Sequence, residues 1–131
     1  MESVMHYDLR DKTWEDHRGW GINPPEVAGI SEKSLGNIHV VSITPGAIRG
    51  NHYHTGAREW LLVFGGKAEF AWREKEDTAV RKVALDGAAP ALFKIPPEIP
   101  HAVLNTDEKD IYLVSFSDST ERGTERCEVV S

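Results

Sequence analysis

The chain has 131 residues, a formal net charge of −6 and a single cysteine. One domain is expected at this length, burying roughly two thirds of the surface its unfolded chain exposes, so no disulfide staple is needed. The acidic balance argues against a nucleic-acid binder, which presents a basic face. Cys127 has no intramolecular partner and fits a reducing compartment. The N-terminus lacks the basic region and apolar run of a signal peptide, and no apolar stretch reaches the length of a membrane span. A soluble, cytoplasmic protein with neither nucleic acid nor membrane as partner is therefore expected.

Residues 1–37, with Trp14, Trp20 and the Pro24-Pro25 pair, read as an arm of loops and edge strands, packed over one edge or donated to a partner subunit. Residues 38–118 carry the rhythm of a barrel core. Ile38–Ile43 is β-branched and stops at Thr44-Pro45-Gly46. Glu59–Phe64 is almost wholly apolar, Lys67–Trp72 alternates, and Gly65-Gly66 between them reads as a hairpin turn. Ala79–Leu85 and Ala91–Ile95 flank Asp86-Gly87, and His101–Asn105 and Ile111–Phe116 flank a polar loop. Residues 119–131 form a polar, mobile tail in which Val129-Val130 are placed to add an edge strand. Short strands at this spacing predict an all-β sandwich or barrel.

Two segments carry the chemistry. In the first, Gly46 is followed after five residues by His52-Tyr53-His54, then after four by Glu59 and after six by Gly66. The second runs Ile95-Pro-Pro-Glu-Ile-Pro-His101-Ala-Val-Leu-Asn105. Alternation along a strand sends His52 and His54 to one face and Tyr53 to the other. Three imidazoles and a carboxylate, His52, His54, Glu59 and His101, form a donor set for one divalent ion, with Zn, Fe, Mn and Ni all acceptable. Left without an ion, several polar groups on one buried face would each cost about 1–3 kcal/mol.

The first spacing, with Pro96, His101 and Asn105 in the second segment, resembles the two cupin motifs. Pro90 and Glu98 stand where that pattern commonly has glycine, which bears on loop geometry more than on ligands. The resemblance implies a double-stranded β-helix (a cupin jelly-roll barrel), a metal in its mouth and a homodimer. Arg49-Gly-Asn-His-Tyr-His54 further resembles the Arg-Gly-x-His-Tyr segment of dTDP-4-dehydrorhamnose 3,5-epimerases. It is closer to the C-terminal cupin of UDP-sugar epimerase/reductases of capsule synthesis, whose Ile-Pro-Pro-x-x-x-His segment matches Ile95–His101. In the rhamnose epimerases the counterpart of His52 is a catalytic base; here His54 makes a ligand role the better reading of both.

These resemblances imply a metal-dependent epimerase or isomerase acting on a keto nucleotide sugar in polysaccharide biosynthesis. An Fe(II)-type dioxygenase on a small organic acid, or a binding module without turnover, are the competing functions. A general base is required, and Tyr112, His39 and Glu69 are candidates by residue type alone; for His39 an ordinary hydrogen-bonded histidine is the alternative. Arg49, three residues before the histidine pair, is the candidate for holding an anionic or oxygen-rich substrate, against a surface salt bridge.

Overall fold

A computed structural model describes residues 2–74, 79–120 and 123–131. The arm holds β1 (Met5–His6), β2 (Thr13–Asp16), β3 (Gly19–Ile22) and a short helix, α1 (Pro24–Ala28). There follow β4 (Asn37–Ile43), β5 (Ile48–His54), β6 (Glu59–Phe64), β7 (Ala68–Trp72), β8 (Arg81–Leu85) and β9 (Ala91–Ile95). The last strands are β10 (His101–Asn105), β11 (Ile111–Ser117) and β12 (Thr124–Arg126).

One antiparallel sheet has the order β1-β9-β6-β11-β4, the other β12-β5-β10-β7-β8, and β2 pairs with β3 apart from both. From β4 onward the chain crosses between the two large sheets at almost every turn, and only β7 and β8 follow each other within one sheet. This is the jelly-roll winding of an all-β barrel.

The hairpin expected at Gly65-Gly66 does not form. β6 lies between β9 and β11, whereas β7 lies in the facing sheet between β10 and β8. The reason is the continuous apolar run of β6, which needs cover on both faces. Leu61 and Val63 point into the barrel, while Trp60 and Leu62 point outward under the arm. Two glycines specify a turn, but not whether the next strand returns alongside or crosses to the opposite sheet.

Three apolar layers result. Between the sheets, Phe70 stacks on Phe93 at 4.0 Å among Ile43, Ile95, Ile99 and Ile111. Outside the first sheet, Tyr7, Leu9, Ile22 and Val27 of the arm cover Trp60, Leu62 and Leu92. Pro24 and Pro25 begin α1 rather than extending a loop, because Asn23 caps its first turn and a proline there forfeits no helical hydrogen bond. Outside the second sheet, Val129 and Val130 pack on Ala71 and Ala102. The edge strand of the tail is Thr124–Arg126 rather than Val129-Val130.

Among the described residues no helix is long and apolar enough to cross a membrane. The interior is not filled throughout. A cavity of about 450 Å³ opens between the sheets, against Val41, Leu61, Val103 and Leu113.

Candidate metal centre

Three strands deliver the four donors to this cavity. β5 brings His52 and His54, neighbouring β10 brings His101 opposite His52, and β6 of the facing sheet brings Glu59. One donor atom from each lies within 4.8 Å of the others. His54, Glu59 and His101 are buried and His52 is half-buried.

β5 reaches this arrangement through a bulge. Ala102 of β10 pairs with Gly50 while His101 pairs with His52, so Asn51 has no counterpart. Gly50 (φ 105) and Asn51 (φ 55) both take left-handed backbone conformations, which suit these residue types. Simple alternation would place Arg49 on the face opposite His52 and His54. The extra residue reverses the alternation, and Arg49 lines the same cavity as the histidines. Glu98 (φ 67) adopts a glycine-like conformation despite its side chain and donates its N–H to the His54 carbonyl at 2.7 Å.

The protonation pattern calls for a cation. His101 Nδ1 is 2.9 Å from the Ile99 carbonyl, which only accepts, so Nδ1 carries the proton. In the neutral ring Nε2 then holds a lone pair, yet it faces Glu59 Oε1 at 3.1 Å. Two acceptors at that distance need a proton or a metal ion between them. At His54, Nδ1 lies 3.1 Å from Thr124 Oγ1, a hydroxyl able to donate or accept, while the buried Nε2 has no hydrogen-bond partner and stands 3.5 Å from Glu59 Oε2. A ring nitrogen stranded beside a carboxylate is an unfavourable state that a divalent ion resolves. The residues present therefore fit such an ion.

Ser115 donates its hydroxyl to Glu59 Oε2 at 2.7 Å. Burial pushes the Glu59 carboxyl up, but the His101 hydrogen bond and the nearby His54 imidazole outweigh it and hold the group well below the usual carboxylate range.

Of the general-base candidates, only His39 lines the cavity. It sits opposite Ser115 on β4, with Nδ1 2.9 Å from Asn37 Oδ1. Tyr112 faces outward beside Phe64, because Leu113 and Ser115 take the inward positions of β11. Glu69 also faces away, 3.5 Å from Lys82, because Ala68 and Phe70 are the inward residues of β7. Arg49 is exposed at the cavity and donates to the Ser42 carbonyl at 3.3 Å. Sequence reading missed Ser115 and Thr124. Ser115 left a trace, as a polar residue at an inward position of an apolar strand; Thr124 left none.

The family described as polysaccharide biosynthesis C-terminal domain matches residues 15–123. The chain belongs to this family. Its curated relative UDP-2-acetamido-2,6-beta-L-arabino-hexul-4-ose reductase of Pseudomonas aeruginosa is 25% identical over 116 residues, 88% of this chain but 29% of the relative. The chain thus spans less than a third of that protein. The capsular polysaccharide assembling protein CapF from Staphylococcus aureus is 23% identical with a TM-score of 0.66, the match covering 89% of this chain and 34% of CapF. A dTDP sugar isomerase from Desulfovibrio desulfuricans G20 is 15% identical with a TM-score of 0.78, covering 97% and 85% of the two chains. This polysaccharide-biosynthesis domain has the cupin fold.

Proposed function

We propose that this domain is a metal-dependent sugar epimerase or isomerase acting on a keto nucleotide sugar in polysaccharide biosynthesis, with the cytoplasm as its compartment. The observation that carries the reading is the convergence of His52, His54, Glu59 and His101 with His39 and Arg49 on one cavity. The family and the relatives named above support sugar chemistry over other cupin reactions. A divalent ion held by the four donors would supply Lewis-acid polarisation of a ketone.

The chain's own residues supply the rest. His39 gives its Nδ1–H to Asn37 Oδ1, which places the ring's lone pair at Nε2. That nitrogen takes the proton from the carbon beside the ketone, the C–H electron pair becomes the carbon–carbon double bond of the enolate, and the carbonyl π pair moves onto the oxygen. Delivery of a solvent proton to the opposite face of the same carbon gives the epimer; return of the proton from His39 to the former carbonyl carbon, after an oxygen-to-oxygen proton shift, gives the isomeric ketone. Val41, Leu61 and Leu113 give the cavity an apolar wall against which a sugar carbon can rest. Arg49, with a planar fork suited to phosphate or sugar oxygens, binds the substrate at the cavity rim.

The test is solvent-deuterium incorporation into a 4-keto nucleotide sugar by the purified protein. Exchange is expected at the carbon beside the ketone; no exchange with any such sugar defeats the reading. Oxygen uptake with Fe(II) but not Zn(II) would instead favour the dioxygenase, and ligand-induced stabilisation without turnover a binding module. Exposed Ile38 and Val40 on the edge strand β4, with exposed Tyr112 on neighbouring β11, support a homodimer. Val40→Glu is then expected to halve the mass measured by sedimentation.

A further inference from the structure

The tail behind β5 reaches the donor set at His54. Gly123 to Arg126 runs antiparallel to β5, with Thr124 opposite His54 and Arg126 opposite His52. The Gly123 carbonyl accepts the Thr55 N–H at 3.0 Å, and the Asn51 carbonyl accepts the Cys127 N–H at 2.8 Å. Asn51, the bulge residue, then grips the end of the chain. Its Oδ1 accepts the N–H groups of Val129 and Val130 at 2.9 and 3.0 Å, and its Nδ2 donates to the Val130 carbonyl at 2.8 Å. Val129 and Val130 are buried on Ala71 and Ala102, which fixes the tether in place.

On the reading that the four donors hold a divalent ion, we infer that residues 123–130 are a clamp for the ligand strand, with Thr124 the positioning residue for His54. Glu59 and His101 are oriented from within the barrel, Glu59 by Ser115 and His101 by the Ile99 carbonyl. His54 relies on the tail. Its buried Nε2 serves as a metal donor only when the proton sits on Nδ1, and the acceptor that holds that proton is Thr124 Oγ1 at 3.1 Å. Without the hydroxyl, the Nδ1–H loses its partner and the proton shifts toward Nε2, where it blocks ligation. Asn51 acts one step further back, holding the tail against the strand that carries both histidines.

The experiment titrates Co(II) into the metal-free protein and its variants, reading affinity and the absorption of the bound ion. Thr124→Val, close in shape but without the hydroxyl, is expected to weaken Co(II) by about 10- to 100-fold and to change the spectrum. Thr124→Ser is expected to restore both. Asn51→Gly, which tolerates the left-handed backbone while releasing the tail, weakens Co(II) in the same direction and carries the test should Thr124→Val not fold. Wild-type affinity and spectrum in both Thr124→Val and Asn51→Gly overturn the clamp while leaving the metal reading intact. A serine variant no better than valine also overturns the role of the hydroxyl. A wild-type protein that binds no Co(II) overturns the metal reading itself, a separate result.

Discussion

A Cβ on Gly50 would stand 2.7 Å from the carbonyl oxygen of His101 and 2.9 Å from Cα of Ala102. β5 and β10 come together here because residue 50 has no side chain, and this approach sets His52 beside His101. Both obstacles are backbone atoms, so neither swings aside, and φ at Gly50 is +105°. Gly50→Ala is expected to cost about 2–4 kcal/mol in chemical denaturation. It should also lower metal uptake by separating the two imidazoles. Unchanged stability would show that the bulge is looser than described.

Metal occupancy has a thermodynamic signature independent of turnover. Zn(II) at about 100 times its dissociation constant should stabilise the native state by about 2.7 kcal/mol, because it binds the folded arrangement and not the unfolded chain. The melting midpoint should fall on chelation and recover on readdition. Glu59→Gln, which removes the donor set's only negative charge, should abolish most of that shift. Elemental analysis of the two proteins provides the direct check.

The acid response of the metal-free protein follows from Glu59. Its folded carboxyl lies well below its ordinary 4.5, so the native state holds its proton less tightly than the unfolded chain does. The stability this contributes is fully present above 4.5 and is lost as pH falls through the depressed folded value. Urea titrations should therefore show the stability difference between wild type and Glu59→Gln shifting against the wild type as pH drops below 4.5. A difference that stays constant across that range would contradict the pairing with His101 and His54.

His39 separates catalysis from metal holding. His39→Gln should retain metal by elemental analysis, because residue 39 lies outside the four-donor set. Deuterium exchange should fall about 100- to 10,000-fold, the usual contribution of a general base. Asn37→Ala, which removes the Nδ1 partner, should shift the pH–rate profile of exchange. Full activity in His39→Gln would remove the base assigned to this cavity.

The donor set was legible because its residues are unusual in their places. His52 and His54 share a face by alternation, Glu59 opens an otherwise apolar strand, and Ile95-Pro-Pro leads to a histidine where a core residue is otherwise expected. Glu98 shows the converse. It departs from the glycine pattern, yet the backbone still takes the glycine conformation, because the loop ends are held by strands on both sides.

By itself, the sequence determined the strand periods, the all-β class and which polar side chains are costly to bury without a cation, since these depend on residue type and near neighbours. Tertiary structure decided which sheet each strand joins, that a bulge turns Arg49 toward the histidines, that Tyr112 and Glu69 face away, and that Thr124 reaches His54. Those outcomes rest on contacts between residues far apart in the chain. A strand's own period defines two faces, and only packing against a second sheet decides which of them turns inward.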